Sequence, residues 1–136
     1  MNILFLGAPG SGKGTQSKNI EEKFNIPQIS TGDLLRAETA SESKMGQELK
    51  NIMSSGKFVS DDIVLKLVSK KITSNDCKNG FILDGFPRNL AQASSLDSLL
   101  STLNLSLEYV FLIDVPADLI IKRCVGRITC NTCGKI

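Results

Sequence analysis

Between Gly7 and Thr15 the chain reads Gly-Ala-Pro-Gly-Ser-Gly-Lys-Gly-Thr, the densest concentration of chemistry-bearing spacing in its 136 residues. Glycines here let backbone N–H groups turn toward an anion, and a helix starting at Lys13 adds the positive end of its dipole. Gly10, Ser11, Gly12, Gly14 and Thr15 form the cradle, and Lys13 supplies a point charge for the outer phosphates of a nucleotide. The general phosphate-loop pattern places Ser or Thr directly after the lysine. Here Gly14 intervenes and the hydroxyl arrives at Thr15, so the metal ligand is expected elsewhere. Asp84, which follows the apolar run Phe81-Ile82-Leu83, is a strand-terminal carboxylate suited to magnesium. A ligand-free Gly turn and a plain turn residue before Gly85 are the competing readings. Four glycines and a lysine between a strand and a helix favour the phosphate site.

Histidine is absent, which removes the usual general base and the usual nitrogen ligand for metals. Chemistry must therefore run on carboxylates, Lys, Arg, hydroxyls or thiolates. Cys130-Asn131-Thr132-Cys133-Gly134-Lys135 has the spacing of half a zinc site, and a tetrahedral centre needs two further ligands. A redox pair is the alternative, without the context that such a pair requires. Cys77 and Cys124 read as core residues. Sixteen basic against fourteen acidic residues leave a charge of +2, too balanced for a nucleic-acid surface. Met1 to Leu6 is too short for a signal-peptide core, and no stretch has the length of a membrane span. A cytoplasmic or organelle-matrix protein, its cysteines thiols or metal ligands rather than disulfides, is expected.

The elements that must hold these residues follow from pattern. Asn2 to Leu6 is a buried strand, and Lys13 to Phe24 is helical. Helices are expected over Asp33 to Thr39 and Lys44 to Met53, with Gly56 as a stop signal. Asp61 to Thr73 is an amphipathic helix with acids at its N-terminal end, Lys70 and Lys71 at the other, and an apolar face of Ile63, Val64, Leu67, Val68 and Ile72. Phe81 to Leu83 is a second buried strand, followed by a helix over Leu90 to Leu103. Tyr109 to Val115 is a third, and Pro116 opens a helix ending at Gly126. This alternation predicts an α/β fold, a parallel sheet with helices on both faces.

Together with the loop, Thr31-Gly32-Asp33-Leu34-Leu35-Arg36 and Asp84-Gly85-Phe86-Pro87-Arg88 make the chain resemble the adenylate kinase family. Gly56-Lys57-Phe58-Val59-Ser60-Asp61, Asp114-Val115-Pro116 and Arg123-Cys124-Val125-Gly126-Arg127 add to the resemblance, in order and across essentially the whole chain. It implies a phosphate-loop core over 1–30 and 60–126, a helical AMP-binding insert over 31–59, and the beginning of a lid over 127–136. It implies reversible, Mg2+-dependent phosphoryl transfer from ATP to AMP. Lys13, Arg123 and Arg127 would face the donor, and Arg36 and Arg88 the AMP phosphate. Thr31, Lys57, Val59, Gly85 and Gln92 would complete the AMP site, with Thr31 and Gln92 at the adenine. Asp33 and Asp84 would hold magnesium through water, with Lys13, Arg88, Arg123 and Asp84 as the catalytic set.

Phosphoryl transfer is served by positive charge around the equatorial oxygens, and planar Arg forks grip phosphate at two points. Thr31 has a competing role as N-cap of the helix from Asp33. Full-length relatives continue beyond this point with more lid and a final strand, so the expectation is a C-terminally incomplete chain with low or no turnover. An intact enzyme would be a monomer, with structural Zn2+ an option for a complete lid. GTP as donor, a non-catalytic nucleotide-binding fragment and a small zinc module are the alternatives.

Overall fold

Alternation along β1 (Asn2–Gly7) decides the layering. In the computed structural model, which describes residues 1–133, Leu4 joins one apolar cluster while Ile3 and Phe5 join another. Successive strand residues point to opposite faces, so two clusters on one strand mean that both faces are covered. Leu4 packs with Ile29, Val68, Leu83, Phe86 and Leu96. Ile3 and Phe5 pack with Ile26, Ile82 and, from α1 (Lys13–Phe24), Ile20.

The sheet is four-stranded, in the order β2 (Gln28–Ser30), β3 (Phe81–Asp84), β1, β4 (Tyr109–Ile113). Every pairing is parallel, with Phe5 and Ser30 both opposite Asp84 and Gly7 opposite Ile113. This register brings Gly7, Ser30, Asp84 and Ile113 to one end of the sheet, where ligands of open parallel sheets bind. Three strands are expected from pattern and four form. β2 offers a single apolar residue, Ile29, between two polar ones, too little for a periodicity signal. Its backbone nevertheless joins the ladder, with Ile29 buried.

The helices are α2 (Thr31–Ala40), α3 (Lys44–Ser54), α4 (Asp61–Ile72), α5 (Leu90–Thr102) and α6 (Ala117–Val125), with a 3-10 turn at Asn75–Cys77. α2 begins two residues before the expected start, because Ser30 rather than Thr31 caps it, its Oγ accepting from the Asp33 N–H at 3.4 Å. That capping leaves the Thr31 hydroxyl free for another partner. α4 carries its acids and lysines at the expected ends and buries Leu67, Val68 and Ile72. α2 and α3 pack on one another, and α2 also touches α4.

Cys77 is buried as expected, and burial pushes its thiol pKa up. Cys124 is exposed rather than in the core, because α6 buries no residue at all. Its Sγ instead lies 3.7 Å from the carbonyl oxygen of Pro9. Among the described residues β4 pairs only with β1, which leaves Val110 and Leu112 56% and 70% exposed, while Phe111 stacks on Phe5 with ring centroids 5.4 Å apart.

Candidate functional site

At the end of β1 the backbone must turn sharply into α1, and it does so where a side chain has no room. A Cβ on Gly7 would stand 2.6 Å from the carbonyl oxygen of Ile113, and one on Gly10 would stand 2.8 Å from Cys124 Sγ. Both have positive φ, at +149° and +81°, a region that glycine enters without steric cost. Lys13, on the first turn of α1, folds back across the loop, and its Nζ donates to the carbonyls of Gly7 and Ala8 at 2.7 and 2.9 Å. From α6, Arg123 Nη1 reaches the carbonyls of Gly10 and Ser11 at 3.4 and 3.3 Å. Ser11 Oγ is buried inside this loop without a partner among the described residues. Buried hydroxyls are rarely left so, and a loop built to receive an anion is one place where they are.

The loop forms a wall of a cleft of about 960 Å³, which Gly10 to Thr15, Asp84, Arg123 and Arg127 all line. Cations from the loop and α6 thus face a carboxylate at the end of β3. A Cβ on Gly14 would lie 3.7 Å from Asp84 Oδ2, so the residue between Lys13 and Thr15 is the one that runs beside the carboxylate. Gln28 holds Asp84 from the neighbouring strand, its Nε2 donating to Oδ2 at 2.7 Å. Oδ1 is left for another ligand. This arrangement fits hydrated magnesium, which takes one or two carboxylates together with substrate phosphates. Asp33 does not join Asp84 at the cleft. It is paired with Arg36 one helical turn away, both side chains largely exposed, and such a pair contributes little stability.

A second group of residues gathers one peptide further along. The carbonyl of Gly85 accepts from Thr31 Oγ1 at 3.3 Å and from Arg88 Nε at 2.8 Å. Gln92, 8% exposed, accepts from the Arg88 N–H at 2.7 Å and donates from Nε2 to Asp61 Oδ1 at 2.6 Å. Thr31, Gly85, Arg88 and Gln92 are therefore brought together around one carbonyl and one amide. Lys57 is exposed and Val59 half-buried in the connection between α3 and α4. Gln28 and Asp61 were not expected here. Gln28 lies in a strand too short to read, and the position of Asp61 at a helix start explains its charge without reference to a partner.

Cys130 and Cys133 are exposed. The backbone N–H of Cys133, and then that of Thr132, lowers the Cys130 thiol pKa to about 7. Two thiols supply half of a tetrahedral zinc centre, and among the described residues no group of three or more potential ligands gathers. Among the described residues the two thiols are half of such a set; Gly134 and Lys135 of this motif lie outside them. Among the described residues, no helix is long and apolar enough to cross a membrane.

Comparison with known proteins places this geometry in a lineage. The family model "Adenylate kinase" matches residues 5–132. The chain is 54% identical over all 136 residues to an adenylate kinase of Thermodesulfovibrio yellowstonii, spanning 63% of that protein. It is 47% identical over its whole length to one of Archaeoglobus fulgidus, again spanning 63%. To one of Clostridium botulinum it is 47% identical over 98% of the chain, spanning 62% of the relative. The chain thus covers less than two thirds of the length of these relatives. A match that runs through the phosphate loop, the Asp84–Arg88 turn and both Arg123 of α6 and Arg127 just beyond it establishes that this chain belongs to the adenylate kinase family.

Proposed function

We propose that the chain carries the donor-phosphate and acceptor sites of an ATP:AMP phosphotransferase, which moves the γ-phosphoryl group of ATP to AMP and yields two ADP. One observation supports this above the others. Asp84 lines the cleft with the phosphate loop, and the next residue, Gly85, is the carbonyl on which Thr31 and Arg88 converge. A donor and an acceptor held on adjacent residues are within reach of one another, which a transfer reaction needs and a simple nucleotide store does not.

In this reading the loop N–H groups and Lys13 receive the donor phosphates, and Lys13 gives up its bonds to Gly7 and Ala8 to do so. Arg123 and Arg127 add positive charge along the same cleft. Arg88 and Arg36 fix the phosphate of AMP, Arg36 after leaving its exposed pair with Asp33. Thr31, Lys57, Val59 and Gln92 hold the rest of AMP, the base lying near Thr31 and Gln92. Bound magnesium would neutralise charge on the transferring phosphate; Asp84 would hold its waters, joined by Asp33 once Arg36 is released. The insert over 31–59 is the acceptor unit and 127–136 the beginning of a lid. We place the intact enzyme in the cytoplasm as a monomer.

The test is ADP formation from ATP and AMP, beside ATP binding measured by calorimetry and a Lys13→Ala control. Turnover that is lost in the control supports the transferase. ATP binding without any turnover favours a nucleotide-binding fragment, a reading that rests on how openly Arg123 and Arg127 stand at the cleft mouth, both being exposed.

A further inference from the structure

The amide of Gln92 cannot be turned over in this structure. Its oxygen faces a donor, the Arg88 N–H at 2.7 Å, and its nitrogen faces an acceptor, Asp61 Oδ1 at 2.6 Å. Flipping the amide would set NH2 against N–H and carbonyl against carboxylate, leaving two polar groups of a side chain only 8% exposed without partners. The Arg88 N–H is a backbone group and can only donate. Asp61, the first residue of α4, can only accept when ionised. Between them they use one lone pair of Oε1 and one proton of Nε2. What remains is one lone pair and one N–H, in a fixed order.

We infer that Asp61 is a positioning residue that locks Gln92 to accept from a 6-amino group and donate to the neighbouring ring nitrogen, so that the acceptor site takes 6-aminopurine and rejects 6-oxopurine nucleoside monophosphates. This rests on the proposed placement of the AMP base at Gln92. An adenine edge offers an N6 proton and the N1 lone pair, the complement of what Gln92 has left. Hypoxanthine offers the O6 lone pair and an N1 proton, which would meet oxygen with oxygen and N–H with N–H. A glutamine free to flip would serve both. The Arg88 N–H and a carboxylate that cannot donate oppose the flip at both ends, and Asp61, otherwise read only as a charge at a helix start, supplies the second of these.

The test compares AMP with IMP, which differ at this edge alone, by calorimetric titration of the full chain, of Asp61→Asn and of Asp62→Asn. Asn at 61 keeps the shape and can donate as well as accept, while Asp62 carries the same charge one residue on. A bidentate base contact discriminates by roughly tenfold to a hundredfold, so the unsubstituted chain should prefer AMP by that factor. Asp61→Asn removes one of the two oppositions while the Arg88 N–H keeps the other, so the preference should shrink by about threefold to tenfold, mainly through tighter IMP binding. Asp62→Asn should leave it unchanged. AMP binding with the same AMP-to-IMP ratio in Asp61→Asn, or a ratio that falls equally in Asp62→Asn, overturns the lock while the acceptor site stands. Failure of the unsubstituted chain to bind AMP overturns the acceptor reading and this one with it. Should Asp61→Asn not fold, nuclear magnetic resonance of the unsubstituted chain decides: one Gln92 side-chain amide proton should be shifted downfield and slow to exchange. Two freely exchanging protons would overturn the lock.

Discussion

Gln28 donates from Nε2 to Oδ2 of Asp84 at 2.7 Å, tying the carboxylate at the end of β3 to a side chain on the neighbouring strand. Asp84 is half-buried, so this bond does two things. It engages one of the two carboxylate oxygens and leaves the other for a further partner, and it satisfies a charge that has partly left water.

Gln28→Leu should therefore cost stability, by about 1.5–3 kcal/mol for a hydrogen bond to a charged group. Urea unfolding measures it. The same substitution in an Asp84→Asn background should cost less, because the charge that made the bond strong has gone. Equal losses in both backgrounds would show that the two side chains do not depend on one another.

Lys13→Ala removes the ammonium that bridges the Gly7 and Ala8 carbonyls. ATP affinity should fall by about ten- to a hundredfold, the loss expected for one or two hydrogen bonds to a charged group. Calorimetry reads the affinity, and circular dichroism should show an intact fold.

Gly46→Ala tests the packing of α3 on the end of α2. A Cβ there would stand 2.3 Å from the Glu38 carbonyl oxygen and 2.7 Å from that of Ser41. Backbone on both sides cannot swing away as a side chain can, so destabilisation of about 1–3 kcal/mol is expected. Thermal unfolding should register it, and a neutral result would mean that α2 and α3 separate easily.

The thiols should divide in labelling. Cys124, Cys130 and Cys133 are exposed and Cys77 is buried, its thiol pKa raised by desolvation and only partly brought back by Ser74. The thiolate is the reactive form, so a raised pKa means less of it at any given pH below that value. A disulfide reagent near pH 8 should label three thiols of the native chain quickly and the fourth only on unfolding. Rapid labelling of all four would show that the cluster around Cys77 opens readily.

Much of this fold is visible in pattern, since α3, α4 and α5 each carry apolar residues at helical spacing. The phosphate loop is equally visible, because glycine spacing and a following lysine have a direct mechanical meaning. The parts that stayed hidden share a cause. β2 is held by ladder bonds from β3, which composition does not encode. Gln28 and Asp61 act through partners 56 and 31 residues away. Cys124 looked apolar enough for a core, but whether a helix face is covered depends on its neighbours and not on its own residues.

The turn from Asp84 to Arg88 has one more consequence, for how this chain tolerates changes of length. Asp84 is gripped from β2, and the very next carbonyl is gripped by both Thr31 and Arg88. A residue inserted between Asp84 and Gly85 would move the two gripping sites apart by up to about 3.5 Å, more than any of these hydrogen bonds can stretch. The turn therefore works as a gauge of fixed length. Insertions that surface connections such as 55–59 could absorb would, at this turn, separate one half of the site from the other.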